Sequence, residues 1–158
     1  MKLQLIPATQ ADFEYARDIH HTAYRDMVIR QFGQWEKPVQ DRFFIKTWNQ
    51  QKFEIITVED EPCGFCSLEE SDEAIQLREF AVEVSKQGMG IGSQLLTLLK
   101  RMGMQQGKIV LINVMKSNDK AKRLYERHGF SVYGENNSQF LMQFPPAKLT
   151  VHERHPDP

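Results

Sequence analysis

The sequence predicts an α/β fold built on a mixed central sheet, and three observations carry that prediction. Short alternating apolar segments are interspersed with longer stretches of helical periodicity. A glycine-dense turn, Gln87 to Gly92, joins one strand pattern to an amphipathic helix. A second strand–helix unit, Lys108 to Gly129, follows directly. A helix between two strands makes them parallel neighbours in a right-handed crossover, while the tight connections earlier in the chain are antiparallel, so the sheet is mixed.

Taken in order, Lys2 to Ile6 alternates Leu3 and Leu5 with polar neighbours, and Pro7 ends this first strand. Thr9, three residues before Asp12, caps a long helical pattern through Phe13, Ala16, Ile19 or His20, Ala23 and Met27, with Gly33 as the stop. Pro38 suits the first position of a second helix carrying Val39, Phe43, Phe44, Thr47 and Trp48 on one broad side. Phe53 to Val58 and Pro62 to Glu69 are strands of a hairpin, and Ile75 to Val82 is a fourth strand after the acidic turn Glu69 to Glu73. That turn is a solvated loop or a lip that attracts a cationic amine. A helix from about Gly90 to Gln106 is followed by a central buried strand, Lys108 to Val114. Ser117-Asn118 opens the last helix and Gly129 closes it, before two final strands, Phe130 to Tyr133 and Gln139 to Phe144. The expected order is therefore β-α-α-β-β-β-α-β-α-β-β, in one domain of residues 1–144. From Pro145 the apolar pattern decays among four prolines, so residues 145–158 are expected to form a loosely held tail.

Composition excludes several classes of function. The 158 residues carry 20 Lys+Arg against 21 Asp+Glu, a formal charge of −1, which gives no basic field for nucleic acid or an anionic membrane. No apolar run is long enough to span a bilayer and Met1 to Gln4 does not open a signal peptide, so the expected compartment is the cytoplasm. Cys63-Gly64-Phe65-Cys66 has C-x-x-C spacing, but it lies in a strand, where residues three apart face opposite ways. Core packing is expected there rather than redox chemistry, and no second pair completes a zinc set. The adjacent His20 and His21 point about 100° apart on a helix, poor geometry for a metal, so packing or solvent exposure is expected of them.

The glycine turn carries the first chemistry. Gly88, Gly90 and Gly92, on alternate positions, remove every Cβ from one side of the bend, so that backbone N–H groups converge on an anion. The helix N-terminus that follows adds its partial positive charge, and a pyrophosphate is the natural guest. The spacing is not that of a Walker loop, because no lysine precedes Ser93, and Ser93 also stands where the dinucleotide fingerprint needs its third glycine. The second constellation is Asn118, Ala121 and Tyr125, three and then four residues apart and hence on one helix face, with Leu124 and His128 beside it. A small residue between two polar ones leaves room for a narrow chain to lie against the helix.

Gln87-x-x-Gly90-x-Gly92 resembles the coenzyme A loop of the GNAT superfamily of N-acetyltransferases, and the run from Asn118 through Ala121, Leu124-Tyr125-Glu126 and Gly129-Phe130 is similar to the signature that follows the fifth strand in that family. With the element order, the resemblance covers roughly Leu3 to Phe144, and Trp35-Glu36 and Leu77-Arg78 resemble a bacterial-type subgroup. It implies an acetyl-CoA-dependent N-acetyltransferase whose sheet splays between its parallel fourth and fifth strands to admit the cosubstrate, with no metal. Phe80, Ala81 and Val82 would line the pantetheine arm, with a backbone N–H, that of Val82, at the thioester carbonyl. The segment Gln87, Gly88, Met89, Gly90, Ile91, Gly92, Ser93 would hold the pyrophosphate. Asn118 and Ala121 would meet the arm, and Tyr125, with a reference pKa of about 10, would hand its proton to the departing thiolate.

The resemblance also implies direct attack by a bound amine, since no activated cysteine or serine is present. Some family members that acetylate protein N-termini have a glutamate where this chain has Asn113, and an amide cannot serve as base. Glu79 is the next candidate, alongside a solvated structural role for it and a chain of waters. Acceptor choice is expected in the two N-terminal helices, around Tyr24, Phe32, Trp35 and Trp48, and in the last hairpin; these aromatics line an acceptor pocket or fill the core. A coenzyme A-binding regulatory or partner-binding module without turnover is the competing reading, and a protein lysine or N-terminus is the alternative acceptor. The sequence is compatible with a homodimer and does not specify one.

Overall fold

The computed structural model describes residues 2–145, so the expected tail lies, but for Pro145, outside the described residues. Seven strands, β1 (Leu3–Pro7), β2 (Phe53–Val58), β3 (Glu61–Glu70), β4 (Ala74–Val82), β5 (Ile109–Met115), β6 (Ser131–Glu135) and β7 (Gln139–Phe144), form one sheet in the order β1-β2-β3-β4-β5-β7-β6. Helices α1 (Phe13–Phe32), α2 (Lys37–Gln50), α3 (Ile91–Gln106) and α4 (Asp119–Arg127) connect them. The predicted order of elements is the observed one. Only β4 and β5 are parallel neighbours; every other pair in the sheet is antiparallel.

The helices divide between the two faces. Leu95, Leu96 and Leu99 of α3 bury against Ile75 and Leu77 of β4 and Val110 and Ile112 of β5, each side chain contributing about 1.5–3 kcal/mol of hydrophobic stabilisation. Tyr125 and Phe130 extend that cluster, so α3 and α4 share one face. On the other face Ala16 and Ile19 of α1 and Phe44 of α2 cover Phe53, Ile55, Phe65 and Ala81. No residue of that second cluster comes from β5, β6 or β7.

Local differences from the sequence reading have local causes. Pro38 stands second in α2, after Lys37, where its missing N–H is still no loss. A 3₁₀ turn at Gln10–Asp12 precedes α1, with the Thr9 N–H donating to Asp12 Oδ2 at 2.9 Å. The β2–β3 turn is only Glu59-Asp60, both at positive φ, so β3 starts earlier than predicted. Cys63 and Cys66 are both free and buried, as core packing requires, but they enter the same cluster instead of opposite faces. The β2–β3 register shifts between Ile56 and Thr57, making Cys63 the extra residue of a bulge, and the bulge resets the alternation.

Candidate active site

The pairing of β4 with β5 stops at Leu77↔Ile112, although both strands continue. Beyond that point Glu79 to Val82 stays with β3, and Asn113 to Met115 stays with β7. A second bulge causes the parting: Ser67 pairs Glu79 but Leu68 pairs Leu77, leaving Arg78 as an extra residue that bends β4 away. The sheet is therefore split where the sequence predicted a splay.

The alternation of antiparallel hydrogen bonds decides which main-chain groups face this gap. Glu83 N–H donates to Cys63 O at 2.8 Å, so Phe80 and Val82, on the other parity, turn their N–H and C=O groups toward the β5 side. Both carbonyls are already used. Tyr24 Oη–H donates to Phe80 O at 2.7 Å, and Gln87 Nε2 donates to Val82 O at 3.1 Å. The Gln87 side chain thus ties the glycine loop back to the strand.

After a 3₁₀ turn at Val84–Lys86 that the sequence reading did not contain, Gly88 and Gly90 take φ of +79° and +83°, where a side chain is strained. Gly92 has a different reason to be glycine. A Cβ there would stand 3.0 Å from Leu124 Cδ2 and 3.7 Å from the Phe80 ring, so its bareness lets α3 and α4 approach. The expectation that all three glycines clear one cradle is corrected accordingly. Among the described residues, no backbone acceptor takes any of the six amide N–H groups from Gly88 to Ser93. Lys2 and Arg101 border a groove of about 660 Å³ that includes Met89, Gly90 and Ser93.

Across the gap stands α4. Asn118 caps it, its Oδ1 accepting from Ala121 N–H at 3.1 Å, which leaves the Nδ2 group for another partner. Tyr125, 6 % exposed, packs its ring 6.3 Å from that of Phe130. Burial pushes its phenol up to about 12, so it stays protonated, and its hydroxyl has no hydrogen-bond partner among the described residues. An orphaned buried hydroxyl and an uncommitted row of amides on opposite sides of one gap suit a ligand with polar groups at two places.

Helix α1 spans the opening. Tyr15 Oη–H donates to Glu83 and Tyr24 to Phe80 on the β4 side, while Ser117, between β5 and α4, donates from Oγ to Met27 O at 3.2 Å and from its N–H to Gln31 Oε1 at 3.2 Å. Glu79, half-buried beneath it, has the parity of Ala81 and so lies on the α1–α2 face. Burial raises its carboxyl to about 7, with Arg78 pulling the other way. The Tyr24 phenol is raised by burial first, and then by Glu79 and Tyr125.

Of the other expected acceptor residues, Trp35 sets its edge on His21 at 5.2 Å, Trp48 packs on Phe53 at 4.8 Å and Phe32 is exposed. Only Tyr24 of that set reaches the gap. A cavity of about 820 Å³ that includes Trp48 runs along β1 and β2 and contains none of the candidate catalytic or cofactor residues. Asn113 is exposed, one residue past the last β4–β5 pair. Sequence reasoning missed the Tyr15–Glu83 bond and the His21–Asp41 contact described below, which join residues 68 and 20 positions apart and leave no local signal.

The sequence profile of the acetyltransferase (GNAT) family matches residues 14–130. The chain belongs to the GNAT family. Its fold is that of solved GNAT structures. The PaiA N-acetyltransferase of Thermoplasma acidophilum, in complex with coenzyme A, superposes at a TM-score of 0.70 with 15% identity, over 90% of this chain and 98% of that one. An acetyltransferase of Thermus thermophilus gives 0.68 at 18% identity, over 90% and 96%. The Campylobacter jejuni N-acetyltransferase PseH, in complex with acetyl coenzyme A, gives 0.61 at 16% identity, over 90% and 98%. No curated protein matches the sequence. As a GNAT member the protein is an acyltransferase of the acetyl-CoA class, no described helix is long and apolar enough to cross a membrane, and no group of side chains among the described residues could hold a metal ion.

Proposed function

We propose that this GNAT protein transfers acetyl from acetyl-CoA to a primary amine in a ternary complex formed at the β4–β5 gap. The observation that carries the proposal is the pairing of six unpartnered amides, Gly88 to Ser93, with the orphaned Tyr125 hydroxyl on the other side of that gap. Acetyl-CoA, when bound, supplies the activated acetyl group. The amides hold its pyrophosphate, aided by the N-terminus of α3. Val82 N–H, free on the gap side, donates to the oxygen that gains charge as the amine attacks. Phe80 and Ala81 form the β4 wall, and Asn118 Nδ2 and Ala121 meet the arm from α4. Tyr125 gives its proton to the leaving sulfur, and Glu79, with a carboxyl near 7, accepts the proton of the amine.

One observation favours a peptide over a closed metabolite pocket. The buried α1–α2 cluster draws on no residue of β5, β6 or β7, and past the gap Asn113 is exposed. An extended acceptor has room there, a protein lysine or N-terminus among them. Thiol release measured with a panel of small amines and of peptides, beside acetyl-CoA binding by calorimetry, tests both readings. Turnover on any of these supports the enzyme and its acceptor class; binding without turnover on every one would make the protein a coenzyme A-binding module.

A further inference from the structure

Histidines 20 and 21 do more than pack. His20 Nδ1 and His21 Nδ1 lie 3.0 Å apart, His21 Nε2 lies 2.6 Å from Asp41 Oδ1, and Lys37 Nζ holds Asp41 Oδ2 at 2.8 Å. Asp41 is kept well down, at about 2, by its hydrogen bonds from Lys37 and His21, so it is a carboxylate and His21 Nε2 is the donor to it. One hydrogen is then shared between the two Nδ1 atoms. His20 is 9 % exposed, between the rings of Tyr24 at 4.6 Å and Phe44 at 4.9 Å. Burial, and then the neighbouring His21, push it down to about 3, so it is neutral. Its Nε2 has no protein partner among the described residues, and a buried ring nitrogen so placed calls for a hydrogen-bonding guest.

Two proton arrangements satisfy every one of these contacts. In the first, His21 is neutral, the shared hydrogen sits on His20 Nδ1, and His20 Nε2 is a bare base. In the second, His21 is an imidazolium beside Asp41, the shared hydrogen sits on His21 Nδ1, and His20 carries its hydrogen on Nε2 while remaining neutral. A proton that arrives at His20 Nε2 converts the first arrangement to the second. The arriving proton bonds to Nε2, the Nδ1–H of His20 passes to His21 Nδ1, and the positive charge ends next to a carboxylate without residing in the buried ring.

We infer that His20, His21 and Asp41 form a proton reservoir for the reaction, taking the acceptor's proton from the Glu79 side of Tyr24 through water and holding it on His21 until the product has left. The groups that face the relay are Tyr24 and His21 on α1, Asp41 and Lys37 on α2, and Glu79 on β4, which together with His20 adjoins Tyr24. After the product has left, the proton returns by the same path to the Glu79 side and passes to solvent, so the protein ends each cycle in the protonation state in which it began. This assignment of His20 and His21 as positioning residues for the proton rests on the acetyl-transfer reading.

The test is nitrogen NMR of the free protein labelled with ¹⁵N-histidine, titrated from about pH 8 to pH 5, the range in which histidine commonly gains charge, with His20→Gln and His21→Gln for assignment. The expected result is that His20 stays neutral throughout and that its hydrogen moves from Nδ1 to Nε2 in step with any proton taken up by the pair. In His21→Gln, which keeps the hydrogen bonds but takes no proton, the His20 hydrogen should stay in place at every pH. A His20 tautomer that never changes in the wild type, a His20 that itself becomes charged, or a switch that survives in His21→Gln would overturn the relay. Because the spectrum needs no substrate, such a result leaves acetyl transfer standing, whereas a failed acceptor screen leaves the spectrum unaltered.

Discussion

On the α3 side of the gap the groups proposed for the chemistry are main chain: the amides from Gly88 to Ser93 and the N–H of Val82. On the α1 side they are side chains: Tyr24 on the Phe80 carbonyl, Glu79 beneath it, and the His20–His21–Asp41 chain behind. Main-chain sites demand particular dihedral angles more than particular side chains, which is why Gly88 and Gly90 mark them. Side-chain sites demand particular functional groups and depend on helices far apart in sequence. On the proposed reading the first wall takes the cosubstrate and the second takes the acceptor.

The largest effect that separates the two walls should come from Tyr125→Phe. Removing the proposed proton donor is expected to lower turnover by about 10²–10⁴-fold, the range for a general acid, while acetyl-CoA affinity by calorimetry stays within about twofold. Equal turnover would remove Tyr125 as acid. Next, Gly90→Trp puts a bulky residue at φ +83° in the amide row and should weaken acetyl-CoA binding at least about tenfold, a loss of about 1.4 kcal/mol; unchanged affinity would put the phosphates elsewhere.

Glu79→Gln addresses the acceptor wall. The wild-type rate should climb as pH rises through about 7, where Glu79 becomes a carboxylate, and the variant should lose that climb. If both proteins trace the same pH profile, the proton goes to another group. The same substitution has a smaller signature in stability. A carboxyl raised from 4.5 to about 7 in the folded state binds its proton more tightly there than in the unfolded chain, so stability falls as pH rises across that window. Glu79→Gln should therefore gain on the order of 1 kcal/mol at pH 8, discounted for its half-exposure, and nothing at pH 4. Urea melts at the two pH values check this. Smallest, Tyr24→Phe leaves the Phe80 carbonyl without its donor and should cost about 1 kcal/mol in the same melts.

What could be read in the sequence follows the same division. Gly33, Gly107 and Gly129 mark helix ends, and the glycine turn together with the Asn118–Tyr125 spacing locates both sides of the gap, because backbone constraints and helix periodicity are local. The bulges at Cys63 and Arg78 were not legible, since a bulge is a relation between two strands; one put both cysteines on the same side and the other opened the sheet. The role of Gly92 against Leu124 was hidden for the same reason. The histidine pair showed its spacing but not its partner, because Asp41 comes from another helix.

Whether one ligand bridges the amide row and the Tyr125 hydroxyl is decided by a crystal structure of the protein soaked with acetyl-CoA. Diphosphate oxygens are expected on the N–H groups between Gly88 and Ser93 and the thioester sulfur beside Tyr125, with its carbonyl oxygen on Val82 N–H. Acetyl-CoA bound instead in the cavity along β1 and β2, or with its sulfur away from Tyr125, would contradict that bridge.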